Sequence, residues 1–348
     1  MIPKFGKELR LRDVFSRKKS NAISGKNVFF LNSASECLVF FLRHIGQKLR
    51  VGVPIYTCSS VYNSIIEADC YIVFLDLGLD DDFTSIPRDL DVLIVTHYFG
   101  VVNNSISEIK RLYPNLIIVE DCSHVNVKFY KRDRHSDASI FSFNFHKPIA
   151  LGIGGGIYVN TMYSNLKDDY IQLNTLNWMD NVKKISFILF KYLLQYKFIY
   201  ITFYPIVLYR RKNDQNRHYN KIVPHRLNKF YLFLLNNLIV NFELCEKSLK
   251  RYSFFVNNDK SLITYSYFPI FFESKFKRDV IFDNLIKNKI EAFILWNNCK
   301  QHAKYYDRTY IFDSSKNTNY ILDHILFIPY KLFSNDYYFY KFEKIVNN

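Results

Sequence analysis

The sequence predicts an α/β protein with a mostly parallel central sheet sandwiched between helices and a smaller α/β domain at the C-terminus. Three observations lead to this prediction. The chain has 348 residues, which suits one large domain and one small domain. Hydrophobic residues make up 49% of it and charged residues 23%, as in soluble globular proteins. From about residue 28 to 160, short apolar runs rich in β-branched residues alternate with helical patterns, which is typical of a doubly wound sheet.

The large domain, predicted over residues 28–255, begins with this alternation. Five apolar runs are predicted to be buried strands, namely Val28–Leu31, Arg50–Val53, Tyr71–Asp76, Asp91–His97 and Leu116–Glu120. Helices are predicted over Ser35–Gly46, Ser59–Ala68 and Ser105–Tyr113, with the cap residues Asn32-Ser33 and Asn104-Ser105 before the first and the third. Because ligands of such sheets bind beyond the carboxyl ends of the strands, the polar residues that follow each strand form the candidate site.

The pattern changes on either side of this region. Residues 1–27 form a basic N-terminal segment, and residues 165–255 are predicted to be a mostly helical, aromatic and basic part of the large domain. Residues 256–348 alternate again and are predicted to form the small α/β domain. Its predicted elements are strands near Tyr265–Phe272, Ala292–Trp296 and His324–Pro329, a helix near Lys277–Lys289 and a terminal helix.

The charge distribution argues against a nucleic-acid partner. The net charge is +15, but it is concentrated at the flanks. Residues 1–50 carry 11 basic and 3 acidic side chains, and residues 181–260 carry 15 basic and 4 acidic side chains. Residues 51–150, which hold most of the strand ends, carry 8 basic and 13 acidic side chains. A nucleic-acid enzyme would usually keep its basic surface around its chemistry, and no recognition motif accompanies the charge.

The cysteines and the most apolar stretch predict a cytoplasmic protein. The six cysteines form no C-x-x-C pair and no metal-ligand spacing, and no signal peptide is seen, so reduced thiols and no metal site are expected. The stretch Ile185–Tyr209 is interrupted by Lys191, Lys197 and Pro205, and no transmembrane helix is predicted. Its aromatic face with basic ends suits either a homodimer interface or peripheral contact with an anionic membrane.

Two strand ends carry candidate binding groups. In Phe30–Ser35, small polar residues lead into a helix, whose N-terminal N–H groups and the Ser35 hydroxyl suit a phosphate. An ordinary N-cap is the alternative. The apolar run Leu116–Asp121 ends in two carboxylates, and Asp121 can pair with a ring nitrogen of a heterocyclic cofactor or serve as a turn or cap residue.

A third feature is the lysine before a glycine-rich turn. Ser142–Pro148 precedes Gly152–Gly156, which contains four of the chain's 10 glycines. A lysine in such a loop can have a lowered pKa and act as a covalent amine, and a surface lysine beside a β-hairpin is the alternative. The glycine spacing fits neither the dinucleotide motif nor the Walker motif.

Two histidines follow predicted strands. His97 ends the run Asp91–His97, where a hydrogen-bonded structural histidine is more common than a catalyst. His124, three residues after Asp121, is the better candidate for contact with a cofactor.

Along the chain, a predicted phosphate site is followed by a strand-end carboxylate and then by a lysine before a glycine-rich turn. This order resembles that of fold-type-I pyridoxal phosphate (PLP) enzymes, and more closely that of the DegT/StrS family of nucleotide-sugar aminotransferases. The family's N-S/G-G-T-A-A-L, E-D-A-A-Q/H, S-F-x-x-x-K and L-G-x-G-G segments correspond to Asn32–Leu38, Glu120–His124, Ser142–Lys147 and Leu151–Gly155. Val53–Thr57, His97–Gly100 and Ile290 to Trp296 match further segments. The resemblance is specific over residues 28–160 and looser over 165–260.

This resemblance implies PLP as the cofactor and a role for each matched residue. Lys147 would hold the cofactor covalently and then transfer the reaction's proton, and Asp121 would be the partner of the pyridine nitrogen. His124 would approach the oxygen on the ring. The phosphate contacts would come from Ala34, Ser35 and Ser142.

The sequence departs from the family at two positions. Cys58 stands where an aromatic residue often stacks on the cofactor ring, so Tyr56 or another residue would cover that face. The N-x-R-M segment, which reaches the neighbouring subunit's cofactor, appears as Arg226-Leu227-Asn228 with Pro224 where the asparagine should be.

The implied function is amino transfer in a homodimer with shared active sites. The donor would be an amino acid, with glutamate expected, and the acceptor a keto-sugar nucleotide for surface-polysaccharide or O-antigen synthesis. Some relatives have His at the Lys147 position and dehydrate sugars, so the retained lysine favours transamination. The alternatives are a PLP aminotransferase with a non-nucleotide keto substrate and a non-catalytic scaffold, and the retained Lys147 and Asp121 argue against the scaffold.

Overall fold

The computed structural model describes most of both predicted domains. The described residues are 27–77, 86–145, 147–193, 221–240, 248, 250–252, 267–288, 290–306, 315–329, 332–333 and 335–347. The predicted N-terminal segment lies outside these ranges except for residue 27, and so do His146 of the lysine motif and the 194–209 part of the apolar stretch.

A mixed sheet of seven strands forms the centre of the fold. The strands are β1 (Val28–Leu31), β2 (Arg50–Pro54), β3 (Tyr71–Leu75), β4 (Val92–Thr96), β5 (Ile117–Asp121), β6 (Ala138–Ser142) and β7 (Gly155–Val159). Their order is β1-β7-β6-β5-β4-β2-β3, and β7 runs antiparallel to both β6 and β1, while all other pairs are parallel. The five predicted strands are confirmed, and β6 and β7 extend the sheet.

Helices cover this sheet and follow the apolar periodicity of the sequence. They are α1 (Ala34–Ile45), α2 (Ser59–Glu67), α3 (Ile106–Leu112), α4 (Leu166–Gln172), α5 (Trp178–Leu193) and α6 (Lys229–Val240). The predicted cap of α1 is confirmed, since the Ser33 hydroxyl accepts a hydrogen bond from the Glu36 N–H at 3.1 Å. Ser105 is the N-cap residue of α3 as predicted, but its side chain makes no capping hydrogen bond, and its N–H donates to the Asn103 side chain.

The C-terminal part is built on a two-stranded sheet. Its elements are β8 (Tyr267–Phe271), α7 (Lys275–Lys287), α8 (Cys299–Tyr306), α9 (Lys316–His324), β9 (Ile325–Pro329) and α10 (Asp336–Val346), with β8 and β9 antiparallel. The predicted strand Ala292–Trp296 is wrong. Only Phe293 pairs with Phe327 of β9, because the chain turns at once and Trp296 adopts a φ of 52° that no strand contains.

The two parts share a hydrophobic core. Tyr267 and Phe327 of the C-terminal sheet pack in the same cluster as Val119 and Ile140 of the central sheet. A second cluster, centred on Phe268, Leu326, Phe333 and Phe342, belongs to the C-terminal part alone. A domain boundary at residues 255–256 stays a prediction. No helix in the described ranges has both the length and the apolar character required to cross a membrane.

Candidate active site

The candidate site lies at the carboxyl edge of the central sheet. β4 and β5 are parallel and in register, with Thr96 opposite Asp121. Successive side chains of a strand point to opposite faces, so Thr96 and Asp121 share one face and Glu120 lies on the other. The last residue of β5 therefore presents its carboxylate at the edge where open α/β sheets bind ligands.

Lys147 lies within electrostatic reach of Asp121 and His124, two residues of the other matched motifs. Burial lowers the pKa of its amine, while the negative charges of Asp121 and Cys58 act in the opposite direction. The loop is fixed by the Leu151 and Gly152 N–H groups, which both donate to the Phe143 carbonyl at 2.9 Å. The residue as a whole is partly exposed. A lysine with a lowered pKa has more neutral amine at neutral pH, and neutral amine is the form that acts as a nucleophile.

His124 is buried and uncharged beside this lysine. Burial lowers the pKa of its imidazole well below the ordinary range, and the nearby Lys147 charge lowers it further. Its Nδ1 accepts a hydrogen bond from the Phe99 N–H at 3.4 Å. The neutral ring therefore carries its proton on Nε2, which is a donor.

The glycine-rich turn packs directly against the start of α1. The Gly154 N–H donates to the Asn32 carbonyl at 2.8 Å, and Gly155 pairs with Ser142. A Cβ atom on Gly155 would lie 2.3 Å from the Ser33 carbonyl carbon and 2.4 Å from the Ala34 nitrogen, so only glycine fits there.

This close approach brings the three predicted phosphate-binding residues together. They are Ala34, Ser35 and Ser142. The N–H groups of a first helical turn have no acceptors within their helix, so the start of α1 can bind an anion.

Buried polar atoms without partners line the strand ends. Within the described ranges, Thr57 Oγ1, Thr96 Oγ1 and Asn32 Oδ1 are buried and have no hydrogen-bond partner. They follow or end β2, β4 and β1 respectively. Buried polar groups in folded proteins are normally paired, so this edge is suited to a polar ligand. With the lysine, the strand-end carboxylate and the anion site, the residues present fit PLP.

Cys58, one of the departures from the family, and Tyr56, the residue predicted to cover the cofactor ring in its place, have specific contacts. Tyr56 is fully buried, its hydroxyl donates to the Leu295 carbonyl at 3.2 Å, and its ring meets Trp296 at 5.1 Å. Cys58 is the N-cap residue before α2 and accepts a hydrogen bond from the Ser60 hydroxyl at 3.1 Å. The Tyr56 ring is thus engaged with the C-terminal part, and its predicted cofactor contact stays a prediction.

Arg226 lies beside the phosphate-binding segment of its own chain. Its backbone bridges to Leu31 and to Thr175, and its N–H donates to the Asn174 carbonyl at 2.9 Å. The side-chain Nε is buried and has no partner among the described residues. Its predicted contact with a neighbouring subunit's cofactor stays a prediction.

Sequence reasoning missed three residues at this site, namely Glu36, Phe99 and Trp296. Glu36 occupies an alanine position of the family segment, and this departure was the available signal. Its Oε2 accepts a hydrogen bond from the His225 N–H at 2.8 Å. Burial raises the pKa of this carboxyl to about 7, although the His225 contact acts in the opposite direction.

The raised pKa of Glu36 predicts a pH-dependent stability. The unfolded chain loses this proton near the ordinary glutamate pKa, whereas the folded chain holds it until about pH 7. Wild-type stability should therefore fall as pH rises through this interval. Glu36→Gln should remove that loss, because an amide oxygen still accepts from His225 and carries no charge.

Denaturant unfolding at pH 5 and pH 8 measures this effect. The variant should gain about 2–3 kcal/mol relative to wild type between the two pH values, from the free energy of one pKa unit. Glu108→Gln, at an exposed glutamate, is the matched control. An equal pH dependence in wild type and Glu36→Gln would contradict the prediction.

A buried polar cluster lies on the other face of β5. Glu120 Oε2 accepts from Ser139 at 3.2 Å and from the Tyr130 hydroxyl, and it lies 3.4 Å from His97 Nε2. Burial raises the pKa of Glu120, but the hydrogen bond and electrostatic contact with His97, together with the hydrogen bond from Tyr130, outweigh this and leave it below the ordinary value. This agrees with a structural His97.

The same cluster contains a possible set of metal ligands within the described part of the chain, formed by His97, Glu120 and Cys122. However, His97 Nδ1 accepts from the Asn103 N–H at 3.0 Å. The neutral ring then carries its proton on Nε2, the atom that faces Glu120, and a protonated nitrogen cannot bind a metal.

Comparison with known proteins shows which family and which folds this chain resembles. The sequence profile described as the DegT/DnrJ/EryC1/StrS aminotransferase family matches residues 10–176. These residues, just under half of the chain, are similar to that family. The DegT/DnrJ/EryC1/StrS match includes every matched motif from Asn32 to Gly155, and it confirms the predicted aminotransferase class. No curated protein matches the sequence.

Solved structures of low sequence identity share the fold. The putative sugar aminotransferase Spr1654 from Streptococcus pneumoniae, in its PLP form, has a TM-score of 0.67 at 15% identity, covering 99% of this chain and 98% of its own. PseC of Helicobacter pylori, an aminotransferase of pseudoaminic acid biosynthesis, has a TM-score of 0.66 at 15% identity, with coverage of 99% and 98%. NtdA of Bacillus subtilis, with bound pyridoxamine phosphate (PMP), has a TM-score of 0.65 at 11% identity, with coverage of 92% and 73%. The predicted fold type I is confirmed, and the predicted cofactor is the one in the PLP form of Spr1654.

Proposed function

We propose that this chain is a PLP-dependent aminotransferase that transfers the amino group of an amino acid to a keto-sugar nucleotide. One observation carries the proposal: the Lys147 amine lies within electrostatic reach of both the Asp121 carboxylate and the His124 imidazole at the carboxyl edge of the sheet. The start of α1 and the glycine-rich turn supply an anion site at the same edge.

Each of these residues has a definable task. When bound, PLP supplies a protonated pyridine ring that accepts the electron pair released as the substrate loses a proton. Asp121 keeps the ring nitrogen protonated by offering it a carboxylate. Lys147 holds the cofactor and, once displaced by the amino donor, moves the proton as base and then as acid. Neutral His124 would donate a hydrogen bond from Nε2 to the oxygen on the cofactor ring.

The sugar acceptor is proposed from the proteins that share the fold. Spr1654 is described as a putative sugar aminotransferase, and PseC is an aminotransferase involved in pseudoaminic acid biosynthesis. We extend this to a keto-sugar nucleotide used in surface-polysaccharide or O-antigen synthesis, with glutamate as donor and a cytoplasmic location. A second candidate is a keto substrate without a nucleotide, because a 3-amino-5-hydroxybenzoic acid synthase has the same fold, with a TM-score of 0.64 at 13% identity.

Two measurements test this function. Reduction of the PLP-loaded protein with borohydride, followed by peptide mass spectrometry, should find the cofactor on Lys147. Amino transfer from glutamate should then be measured with nucleotide-linked keto-sugars, free keto-sugars and keto-cyclitols. Turnover of the nucleotide-linked sugars alone supports the proposal, and turnover of only the others selects the second candidate. Cofactor on Lys147 without any turnover, or no bound cofactor, favours the non-catalytic scaffold.

The exposed side of α5 is part of the proposal that the chain forms a homodimer. Trp178, Val182, Leu189 and Leu193 lie along one side of this helix, and all four are exposed. The segment just before α5 pairs with Arg226, the residue that family resemblance directs toward a neighbouring subunit. This continuity favours a second copy of the chain over a membrane as the cover of that side.

Sedimentation should distinguish the two partners. Wild type should sediment as a dimer, and Val182→Lys/Leu189→Lys should sediment as a monomer, because two buried ammonium groups cannot be solvated in an apolar interface. Lys183→Ala is the control variant on the same helix. Monomeric wild type that co-sediments with anionic vesicles in a salt-sensitive way would support the membrane alternative instead.

A further inference from the structure

Two aromatic rings stack on the imidazole of His124. The Trp296 ring lies 5.2 Å from it at an interplanar angle of 15°, and the Phe99 ring lies 5.8 Å from it at 21°. Both aromatic residues adopt positive φ angles, 52° for Trp296 and 56° for Phe99. Bulky residues rarely hold this conformation, and where they do, it is often at a functional site.

Trp296 comes to the site from the C-terminal part of the chain. Phe293 and Phe327 of β9 exchange backbone hydrogen bonds of 2.9 and 3.1 Å, which fixes the segment before Trp296. The Tyr56 hydroxyl then holds the Leu295 carbonyl at the end of β2. The tryptophan ring thus reaches His124 across 172 positions of sequence as a consequence of how the two sheets meet.

These contacts limit the rotation of His124. The hydrogen bond from the Phe99 N–H fixes which edge of the imidazole faces the backbone. Stacking on Trp296 fixes the plane of the ring, since rotation about the Cβ–Cγ bond would turn the imidazole edge into the indole face. Together, the hydrogen bond from Phe99 and the stacking on Trp296 hold the Nε2–H of His124 in a single orientation.

We propose that Trp296 is a positioning residue of the cofactor site, which stacks on His124 and so aims its Nε2–H at the ligand held by Lys147. This inference rests on the proposed function, because it assumes that PLP is that ligand. It gives the C-terminal part a role in cofactor binding. It also explains why Trp296 keeps a strained backbone conformation. An aromatic ring is thus present near the site although Cys58 stands at the position where the family often has one.

A double-mutant cycle with His124 tests whether Trp296 acts through it. Trp296→Leu keeps an apolar side chain without a stacking plane and should weaken PLP binding about tenfold, the upper range of an aromatic stacking contribution. Trp296→Phe should stay within about threefold of wild type, because it restores a ring. In a His124→Asn background, Trp296→Leu should change the PLP dissociation constant less than twofold, since coupled residues give non-additive effects.

The affinity is read from the visible absorbance of the bound cofactor, and the pH midpoint of that absorbance is followed in the same samples. Trp296→Leu and His124→Asn should shift this midpoint in the same direction, which a purely structural role for Trp296 would not do. Trp178→Phe, at the exposed second tryptophan, is the control. A full tenfold loss in the His124→Asn background, or no loss in wild type, overturns the inference. A wild-type chain that binds no PLP overturns the proposed function as well.

A second measurement does not require a change at Trp296. In Trp178→Phe, Trp296 is the only tryptophan, and it is partly exposed. Binding of PMP should lower the acrylamide quenching constant of its emission at least twofold, because the ligand covers the pocket beside His124. An unchanged quenching constant in a protein that binds PMP places Trp296 away from the ligand and overturns the inference even if the leucine variant does not fold.

Discussion

Lys147→Ala should abolish both the visible absorbance of the bound cofactor and amino transfer. The expected loss of turnover is at least about 1000-fold, because one side chain supplies both the covalent attachment and the proton transfer. Alanine has no amine for either task. The fold should persist, since the loop is fixed by backbone hydrogen bonds to Phe143 and not by this side chain.

Two further variants separate charge from chemistry at this position. Lys147→Arg keeps a positive charge near Asp121 but cannot attach the cofactor, so it should be as inactive as alanine. Lys167→Ala, at an exposed lysine of α4, should behave like wild type. A coloured and fully active Lys147→Ala protein would show that another amine performs these tasks.

Asp121→Asn should bind PLP and lose most of its turnover. An amide cannot keep the pyridine nitrogen protonated as a carboxylate does, so the ring accepts electrons poorly. The expected loss in kcat is about 100- to 1000-fold, the size found when one preorganised electrostatic contact is removed from an active site. The KM for the amino donor should change little, because the ring nitrogen lies away from the donor.

The local structure makes this substitution conservative. Asp121 Oδ1 accepts a hydrogen bond from the Ser123 N–H at 2.9 Å, and an asparagine oxygen can accept the same bond. Asp69→Asn, at an exposed aspartate paired with Lys48, is the control for loss of a carboxylate elsewhere. Turnover within threefold of wild type in Asp121→Asn would mean that another group is the partner of the ring nitrogen.

Much of the fold and part of the site follow from local patterns in the sequence. Buried strands were predicted where β-branched residues ran together, and the Ser33 cap of α1 was predicted because a hydroxyl before an apolar periodic stretch satisfies a free N–H. The carboxylate after β5 and the lysine before a dense glycine cluster indicated a site because polar residues at strand ends meet at one edge. The strand predicted at Ala292–Trp296 failed because its apolar residues serve tertiary stacking instead of a ladder.

The sequence by itself predicted the α/β class, the resemblance of residues 10–176 to an aminotransferase family and the candidate site residues, because each of these follows from patterns along continuous stretches of chain. The tertiary structure alone decided that the Glu36 carboxyl meets the His225 backbone, that Trp296 stacks on His124, and that His97 and Glu120 pair on the far face of β5. These contacts join residues 23 to 189 positions apart. Which distant residues meet is set by the order of strands and by the burial of whole faces, and no local pattern of residues encodes that.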